Sequence, residues 1–251
     1  MNLLPYAEYL KMNESDLSPI LVDTRMPMFA RGGRVENSVI VTVQNVIREG
    51  EFGAHLAPDP IVMAKSFADM GIDSTHPVVL TGDYTDPTMM RIAWTLEYAG
   101  HPAVYCISES IALLRKNGVK MTDTVKNVPR AKFEANPNES ILIDAKSIQS
   151  SDSTYVIDAR SLPEYTAGHI PSAILIPHTS GLGNAGMHFM NTAGLEKLFT
   201  NVPRDKEICC YCMHGTRASS LFYQLRLAGF KNVRLYDGSF VQWHGLGLAL
   251  D

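Results

Sequence analysis

Short runs of apolar residues alternate along the chain with longer stretches in which apolar side chains recur at every third or fourth position. The short runs are rich in Val and Ile and are bounded by turn residues, which is typical of buried β-strands, whereas the longer stretches have the spacing of amphipathic helices. In the first half of the chain the pattern predicts strands at residues 20–23, 39–43, 78–81 and 104–107, and helices at residues 61–70 and 88–98. Strands that alternate with helices predict an α/β fold, with a parallel sheet flanked by helices on both faces.

A repeat divides the chain into two halves. Residues 20–25 reappear as residues 155–160 with the shared pattern Asp-x-Arg, and residues 96–100 reappear as residues 225–229. The distance between these two motifs is six residues shorter in the second half. Each half has the size of an ordinary domain, so we expect two tandem domains, each built around its own parallel sheet.

The boundary between the domains is expected between residues 120 and 139, where Asn and Pro cluster. These residues favour turns and extended segments over the interior of a helix or strand. We therefore assign residues 1–125 to the first domain and residues 126–251 to the second.

Composition, charge and the distribution of apolar residues give no support for several classes of protein. The formal net charge is −4, which gives no electrostatic reason to expect nucleic acid or an anionic membrane as a partner. No apolar stretch approaches the roughly 20 residues that span a bilayer, and residues 1–6 lack the basic region and apolar run of a secretion signal. Three of the four cysteines are crowded at positions 209, 210 and 212, so a disulfide framework is not expected. These features favour a cytoplasmic location.

The segment with the clearest chemistry runs from residue 208 to residue 229. An apolar strand ends at Tyr211 and delivers Cys212, a short loop follows, and a helix begins near Ala218. Ligands of parallel α/β sheets lie at the carboxyl ends of the strands, which is where this order places the cysteine. Loop N–H groups and a helix N-terminus both favour a thiolate, so Cys212 is a candidate nucleophile. The alternative is a structural cysteine buried at a strand end, which is the commoner fate of a lone cysteine.

The loop residues after Cys212 favour the functional interpretation. Gly215 permits the backbone angles of a tight cradle, and Arg217 adds a positive charge suited to an oxyanion. His214 lies within the same loop and could assist an anion, although an exposed loop histidine is the plainer explanation. Zinc binding by Cys210, Cys212 and His214 is not expected, because no second pair of ligands has suitable spacing.

Two motifs resemble the signatures of rhodanese sulfurtransferases. The first is the cysteine loop, residues 211–217, together with residues 232–239 and Trp243. The second is the segment of residues 157–173, from the Asp-x-Arg pattern to the sequence Gly-His-Ile-Pro-Ser-Ala. The repeat extends the resemblance over nearly the whole chain.

The resemblance implies a two-step transfer of sulfur without a cofactor or a metal. In this family a cysteine takes a sulfane sulfur as a persulfide and then hands it to a thiophilic acceptor, such as cyanide or a thiol. By position, Cys212 is the implied sulfur carrier. The implied binding site for the persulfide and for a small anionic donor, thiosulfate, consists of Met213, His214, Gly215, Thr216 and Arg217.

The first copy lacks the nucleophile. Counting back from Gly100, as from Gly229 in the second copy, places Asp83 at the position of Cys212. A carboxylate cannot form a persulfide and repels an anion, so we expect the first domain to be catalytically inactive, as in many tandem rhodaneses.

The Asp-x-Arg pattern and its neighbours have less specific interpretations. Asp158 and Arg160 recur in the inactive half, which favours a structural role for both. His169 is replaced by Arg34 in the inactive half, which leaves an active-site role open, although orienting a loop is the plainer explanation. Where two-domain rhodaneses commonly carry a basic residue that helps to bind the donor, this chain has Glu164, so anion binding is expected to depend on Arg217 and the backbone.

Three rival functions remain for the second domain. One is a phosphatase of the type that shares the rhodanese fold, but its loop has five residues between cysteine and arginine, whereas Cys212 and Arg217 are separated by four. Another is the use of 3-mercaptopyruvate as the donor, although such members typically have a small neutral loop. The third is a non-enzymatic carrier or regulatory module, which the intact cysteine loop disfavours.

Overall fold

The described part of the chain contains two five-stranded parallel sheets flanked by helices, so the fold class predicted from the sequence is confirmed. The computed structural model describes residues 2–30, 32–124, 126–151 and 153–251. None of the helices in these ranges is long and apolar enough to cross a membrane.

The first half of the chain contributes nine strands and four helices to the described structure. The strands are β1 (Asn2–Leu4), β2 (Ile20–Asp23), β3 (Arg34–Val35), β4 (Val39–Ile40), β5 (Arg48–Glu49), β6 (His55–Leu56), β7 (Val78–Thr81), β8 (Val104–Ile107) and β9 (Met121–Thr122). The helices are α1 (Tyr6–Asn13), α2 (Pro60–Asp69), α3 (Thr88–Tyr98) and α4 (Ile111–Lys116).

The second half has a similar succession of elements. The strands are β10 (Leu142–Ile143), β11 (Tyr155–Asp158), β12 (Ile174–Leu175), β13 (Leu182–Gly183), β14 (His188–Phe189), β15 (Ile208–Tyr211) and β16 (Val233–Tyr236). The helices are α5 (Ala145–Gln149), α6 (Leu162–Thr166), α7 (Thr192–Leu198), α8 (Thr216–Leu227) and α9 (Ser239–Gly245).

The two sheets have equivalent strand orders. The first runs β1-β8-β7-β2-β4 and the second runs β10-β16-β15-β11-β12, and the neighbouring strands pair in parallel. The predicted strand at residues 39–43 is shorter in the structure, because Thr42 begins a 3₁₀ turn at Val43–Asn45. The carboxyl ends of β7 and β15 occupy corresponding central positions.

The contacts between residues divide the chain into two compact units. Unit 1 consists of residues 1–46, 58–138 and 184–188, and unit 2 of residues 47–57, 139–183 and 189–251. Residues 126–138 belong to unit 1, where the N–H groups of Asn136 and Asn138 donate to the carbonyls of Ala99 and Tyr98 at 2.8 and 2.7 Å. The expected boundary after residue 125 involves Val125, which lies outside the described residues.

Each unit also includes a short segment from the other half of the sequence. Residues 47–57 fold as a hairpin in which β5 and β6 pair antiparallel, with Phe52 and Gly53 in the left-handed region at its tip (φ +59° and +78°). Residues 184–188 belong to unit 1, where the N–H of Ser110 donates to the carbonyl of Met187 at 3.0 Å. Neither the repeat nor the hydrophobic pattern predicts this exchange, and we call residues 47–57 the exchanged hairpin.

The strand register corrects one predicted equivalence between the copies. In each sheet the central strand pairs with the strand that carries the Asp-x-Arg pattern, and in that register Thr81 corresponds to Tyr211. The residue that follows the strand is therefore Cys212 in unit 2 and Gly82 in unit 1. Asp83 is one position further along, because the segment between the strand and the shared Ala-Gly motif is one residue longer after β7 than after β15. Unit 1 thus has a glycine where unit 2 has the cysteine.

A buried ion pair lies at the carboxyl end of the strand that carries the Asp-x-Arg pattern, which is β2 in unit 1 and β11 in unit 2. Arg160, which is 1% exposed, donates to Asp158 at 2.7 Å and to the carbonyl of Gly168 at 2.8 Å. Arg25 repeats the arrangement with Asp23 at 2.6 Å and with the carbonyl of Gly33 at 3.0 Å. Since the pair is the same in both units, its geometry supports a structural role, in which the arginine holds the segment that contains Gly168 or Gly33.

We expect Arg160→Met to lower the free energy of unfolding by about 3–5 kcal/mol, because the substitution leaves Asp158 buried without its cation. Urea denaturation followed by circular dichroism measures the change. Arg25→Met is the matched variant in unit 1 and should cost a similar amount. A loss below about 1 kcal/mol for either variant would contradict the assigned role of the pair.

Candidate active site

Cys212 lies between the end of β15 and the start of α8, as the sequence predicts. The side chain is 1% exposed, and the N–H of Gly215 donates to its Sγ at 3.2 Å. Gly215 precedes the first residue of α8 and has φ +101°, which an L side chain rarely adopts. An N–H group and a helix N-terminus beside the sulfur stabilise the negative charge that a nucleophile carries.

The backbone of the loop is held by the segment after β16. The N–H of Cys212 donates to Oγ of Ser239 at 3.2 Å, and that hydroxyl donates to the carbonyl of Tyr236 at 2.9 Å. The carbonyls of Cys212 and Met213 accept from the N–H groups of Phe240 and Val241 at 2.9 and 3.1 Å. These bonds restrict movement of the loop backbone at Cys212 and Met213 relative to the start of α9.

The other three cysteines are poorer nucleophiles. Cys106, Cys209 and Cys210 are all fully buried, and burial raises the pKa of each thiol, to about 12 for Cys106. A thiol with such a pKa stays protonated near neutral pH. Cys212 is therefore the one cysteine, of the four, that combines a strand end, a donor N–H and a helix start.

Arg217 forms an ion pair with Glu164, and this pairing is not predicted from the sequence. Its Nη1 and Nη2 donate to the two carboxylate oxygens of Glu164 at 2.8 and 2.6 Å. The Glu164 bond is the main cause of the raised pKa of Arg217, and proximity to Cys212 adds to it. Glu164 also accepts from Ser161 at the start of α6, and Arg217 holds its pKa well below the usual range. The positive charge beside the sulfur is thus largely compensated.

The exchanged hairpin contacts the cysteine loop within unit 2. The N–H of His55 donates to the carbonyl of His214 at 3.0 Å, and the two imidazole rings stack with centroids 5.0 Å apart. Nδ1 of His214 is 3.0 Å from the carbonyl of Gly53, and the N–H of Ala57 donates to Asp237 at 2.6 Å. Sequence reasoning missed the hairpin residues Gly53, His55 and Ala57, because two-residue strands around a 3₁₀ turn have no hydrophobic period.

His178 is a further residue near Arg217, and no pattern in the sequence singles it out. Its N–H donates to the carbonyl of Ala159 at 3.1 Å, and its own carbonyl accepts from Gln224 of α8 at 2.5 Å. Burial, followed by the charge of Arg217, lowers the pKa of His178, so the ring is neutral near pH 7. A neutral imidazole adds no positive charge beside Cys212, so His178 does not replace the charge of Arg217 that Glu164 compensates.

The remaining candidate residues have the following surroundings. Met213, His214, Gly215 and Thr216 complete the loop between Cys212 and Arg217, and the carbonyl of Thr216 accepts from Ser219 at 2.6 Å. Their binding of substrate stays a prediction. His169 stacks on Tyr165 with ring centroids 3.8 Å apart, and its Nδ1 lies 3.1 Å from the carbonyl oxygen of Tyr165. Within the described residues, no three His, Cys, Asp or Glu side chains form a group that could hold a metal ion.

Comparison with known proteins gives concordant results for sequence and fold. The sequence model described as "Rhodanese-like domain" matches residues 142–246. A probable 3-mercaptopyruvate sulfurtransferase of Pseudomonas aeruginosa is 30% identical over 213 residues, covering 78% of this chain and 75% of the relative. The thiosulfate sulfurtransferase TUM1 of Saccharomyces cerevisiae is 25% identical over 245 residues, covering 84% and 80%. The crystal structure of SseA from Escherichia coli superposes with a TM-score of 0.85 at 19% identity, covering 95% of this chain and 98% of that one.

Proposed function

Because the chain belongs to the rhodanese-like family of sulfurtransferases, we propose that it transfers sulfane sulfur through a persulfide on Cys212, with thiosulfate as the donor. The observation that carries the proposal is the placement of the Cys212 sulfur at the start of α8, with the N–H of Gly215 directed at it. A cytoplasmic location fits the four cysteines, all of which are free thiols.

The proposed reaction has two half-reactions. In the first, the Cys212 thiolate attacks the outer sulfur of thiosulfate, a sulfur–sulfur bond forms, and sulfite leaves with the electron pair of the bond that breaks. In the second, an acceptor such as cyanide or a thiol attacks the same sulfur, and the electron pair returns to Cys212. The N–H of Gly215 and the start of α8 stabilise the sulfur anion at both stages.

The choice of thiosulfate depends on Arg217. Nη1 and Nη2 are occupied by Glu164, but a guanidinium has five N–H hydrogens, so others remain for a donor anion. Proximity to Cys212 contributes to the raised pKa of Arg217, which supports a charge at the place where the donor binds. A dianion gains more from that charge than a singly charged keto acid does.

A second candidate donor is 3-mercaptopyruvate. Glu164 compensates the charge of Arg217, which weakens the case for a dianion, and the Pseudomonas aeruginosa relative is named for mercaptopyruvate. The values of kcat/KM for the two donors, with cyanide as the common acceptor, separate the candidates. A clear preference for mercaptopyruvate would reject thiosulfate as the donor without rejecting the persulfide.

We expect Arg217→Ala to lower kcat/KM for thiosulfate by roughly ten- to a hundredfold, which corresponds to one charge-assisted contact. Glu164→Gln should have the opposite sign, because it removes the carboxylate that compensates Arg217 while retaining a side chain of similar size. Steady-state rates with both donors measure these changes. Full thiosulfate activity in the Arg217→Ala variant would contradict the role given to this residue.

The first domain is proposed to be catalytically inactive. Neither Gly82 nor Asp83 can form a persulfide, and burial raises the pKa of Asp83, which also lies near Asp86. A regulatory or structural role is left for this domain.

A further inference from the structure

The imidazole of His214 is held in one tautomer by the exchanged hairpin. Nδ1 of His214 lies 3.0 Å from the carbonyl oxygen of Gly53, and a carbonyl oxygen can only accept a hydrogen bond. Nδ1 therefore carries a hydrogen in this arrangement. In a neutral ring the lone pair must then be on Nε2.

Two further contacts fix the position of this ring. The carbonyl of His214 accepts from the N–H of His55 at 3.0 Å, which ties down the backbone, and the stack on the His55 ring, tilted by 22°, sets the plane of the imidazole. His214 is also the residue next to Gly215, whose N–H donates to the Cys212 sulfur. A proton acceptor is thus built into the loop that surrounds the nucleophile.

The thiosulfate half-reaction has no use for such a group, because thiosulfate is ionised and loses no proton. A thiol acceptor is different, since a thiol of ordinary pKa is protonated near pH 7 and its thiolate is the attacking species. A base within the loop would therefore act on the acceptor and not on the donor.

We propose that Nε2 of His214 is the base that deprotonates a thiol acceptor in the second half-reaction, an inference that rests on the proposed persulfide cycle. The S–H proton passes to Nε2, and the thiolate sulfur forms a bond with the outer sulfur of the Cys212 persulfide. The bond between that outer sulfur and Sγ breaks, and its electron pair returns to Cys212. The product persulfide recovers the proton from His214 as it leaves. Gly53 and His55 act as positioning residues.

The test separates the two half-reactions in the full-length protein. Thiosulfate first loads Cys212, and intact-protein mass spectrometry records the added sulfur. The loaded protein is then mixed with 2-mercaptoethanol, a protonated thiol, or with sulfite, which attacks without an S–H proton to lose. His214→Asn is the informative variant, because its amide can still donate to the carbonyl of Gly53 but cannot act as a base.

We expect the ratio of the thiol rate to the sulfite rate to fall by about 10²- to 10⁴-fold in His214→Asn, the range of a general base. His76→Asn, which alters an exposed histidine of unit 1, should keep the ratio of the unmodified protein. An unchanged ratio, including an equal slowing of both acceptors, would overturn the inference. If the unmodified protein fails to load at all, the proposed function is at fault instead.

A measurement on the unmodified protein guards against a variant that does not fold. With general-base removal of the thiol proton, the reaction of the loaded protein with 2-mercaptoethanol should slow in D₂O, and the reaction with sulfite should not. Equal solvent effects on the two acceptors would also overturn the inference.

Discussion

Replacing Cys212 by serine is expected to abolish sulfur transfer while leaving the fold intact. The substitution exchanges one atom in a side chain that is 1% exposed, and the N–H of Gly215 can still donate to the new oxygen. A serine hydroxyl forms no persulfide, so turnover should fall by at least about 10⁴-fold, the scale of loss when a nucleophile is removed. Cyanide-dependent formation of thiocyanate from thiosulfate measures it.

The location of the transferred sulfur provides the control. After incubation with thiosulfate, peptide mass spectrometry should find one additional sulfur on the peptide that contains Cys212. Cys106→Ser should leave the activity per folded molecule largely unchanged, since Cys106 is buried on β8 of unit 1. A persulfide on Cys209 or Cys210 would reject the assignment of the nucleophile.

The second domain on its own is expected to lose most of its activity. A fragment of residues 126–251 lacks the exchanged hairpin, and with it the bonds of that hairpin to His214 and Asp237. It also lacks Phe52, whose ring packs so closely on Gly245 that a Cβ at this glycine would clash with it. Several lost contacts, each of about 1 kcal/mol or more, should lower kcat/KM by more than about a hundredfold.

The same fragment permits a rescue experiment. A synthetic peptide of residues 46–58, added in excess, supplies the missing hairpin and should restore part of the activity and raise the melting temperature. The full-length chain is the reference for both measurements. A fragment that is stable and fully active without the peptide would show that the hairpin and the first domain are dispensable.

The features that could be predicted from the sequence are those that depend on local pattern. The buried strands, the amphipathic helices and the cysteine loop all have a short-range signature, and residues 208–229 form a strand, a loop and a helix in the predicted order. Glu164 was recognised as the acidic residue of the cleft. Its bidentate pair with Arg217 joins residues 53 positions apart, and spacing along the chain could not reveal that contact.

Two features were predicted wrongly or not at all from the sequence, and each has a physical cause. Counting residues back from a helix placed Asp83 at the cysteine position, and the longer segment after β7 made that count wrong by one. The exchanged hairpin has two-residue strands, so neither its pairing nor its partner in unit 2 has a periodic signal. A repeat predicts that two domains exist, but it does not tell which segments each of them completes.

The crossing of segments between the units has a consequence for synthesis on the ribosome. Unit 1 has its sheet once residue 138 has been made, yet residues 184–188, which bind Ser110, are complete only about 50 residues later. At typical translation rates that interval lasts about 3–10 s, far longer than the collapse of a small domain. The edge of unit 1 around Ser110 therefore stays uncovered while the rest of the nascent chain emerges, and a chaperone or a protease has those seconds in which to bind it.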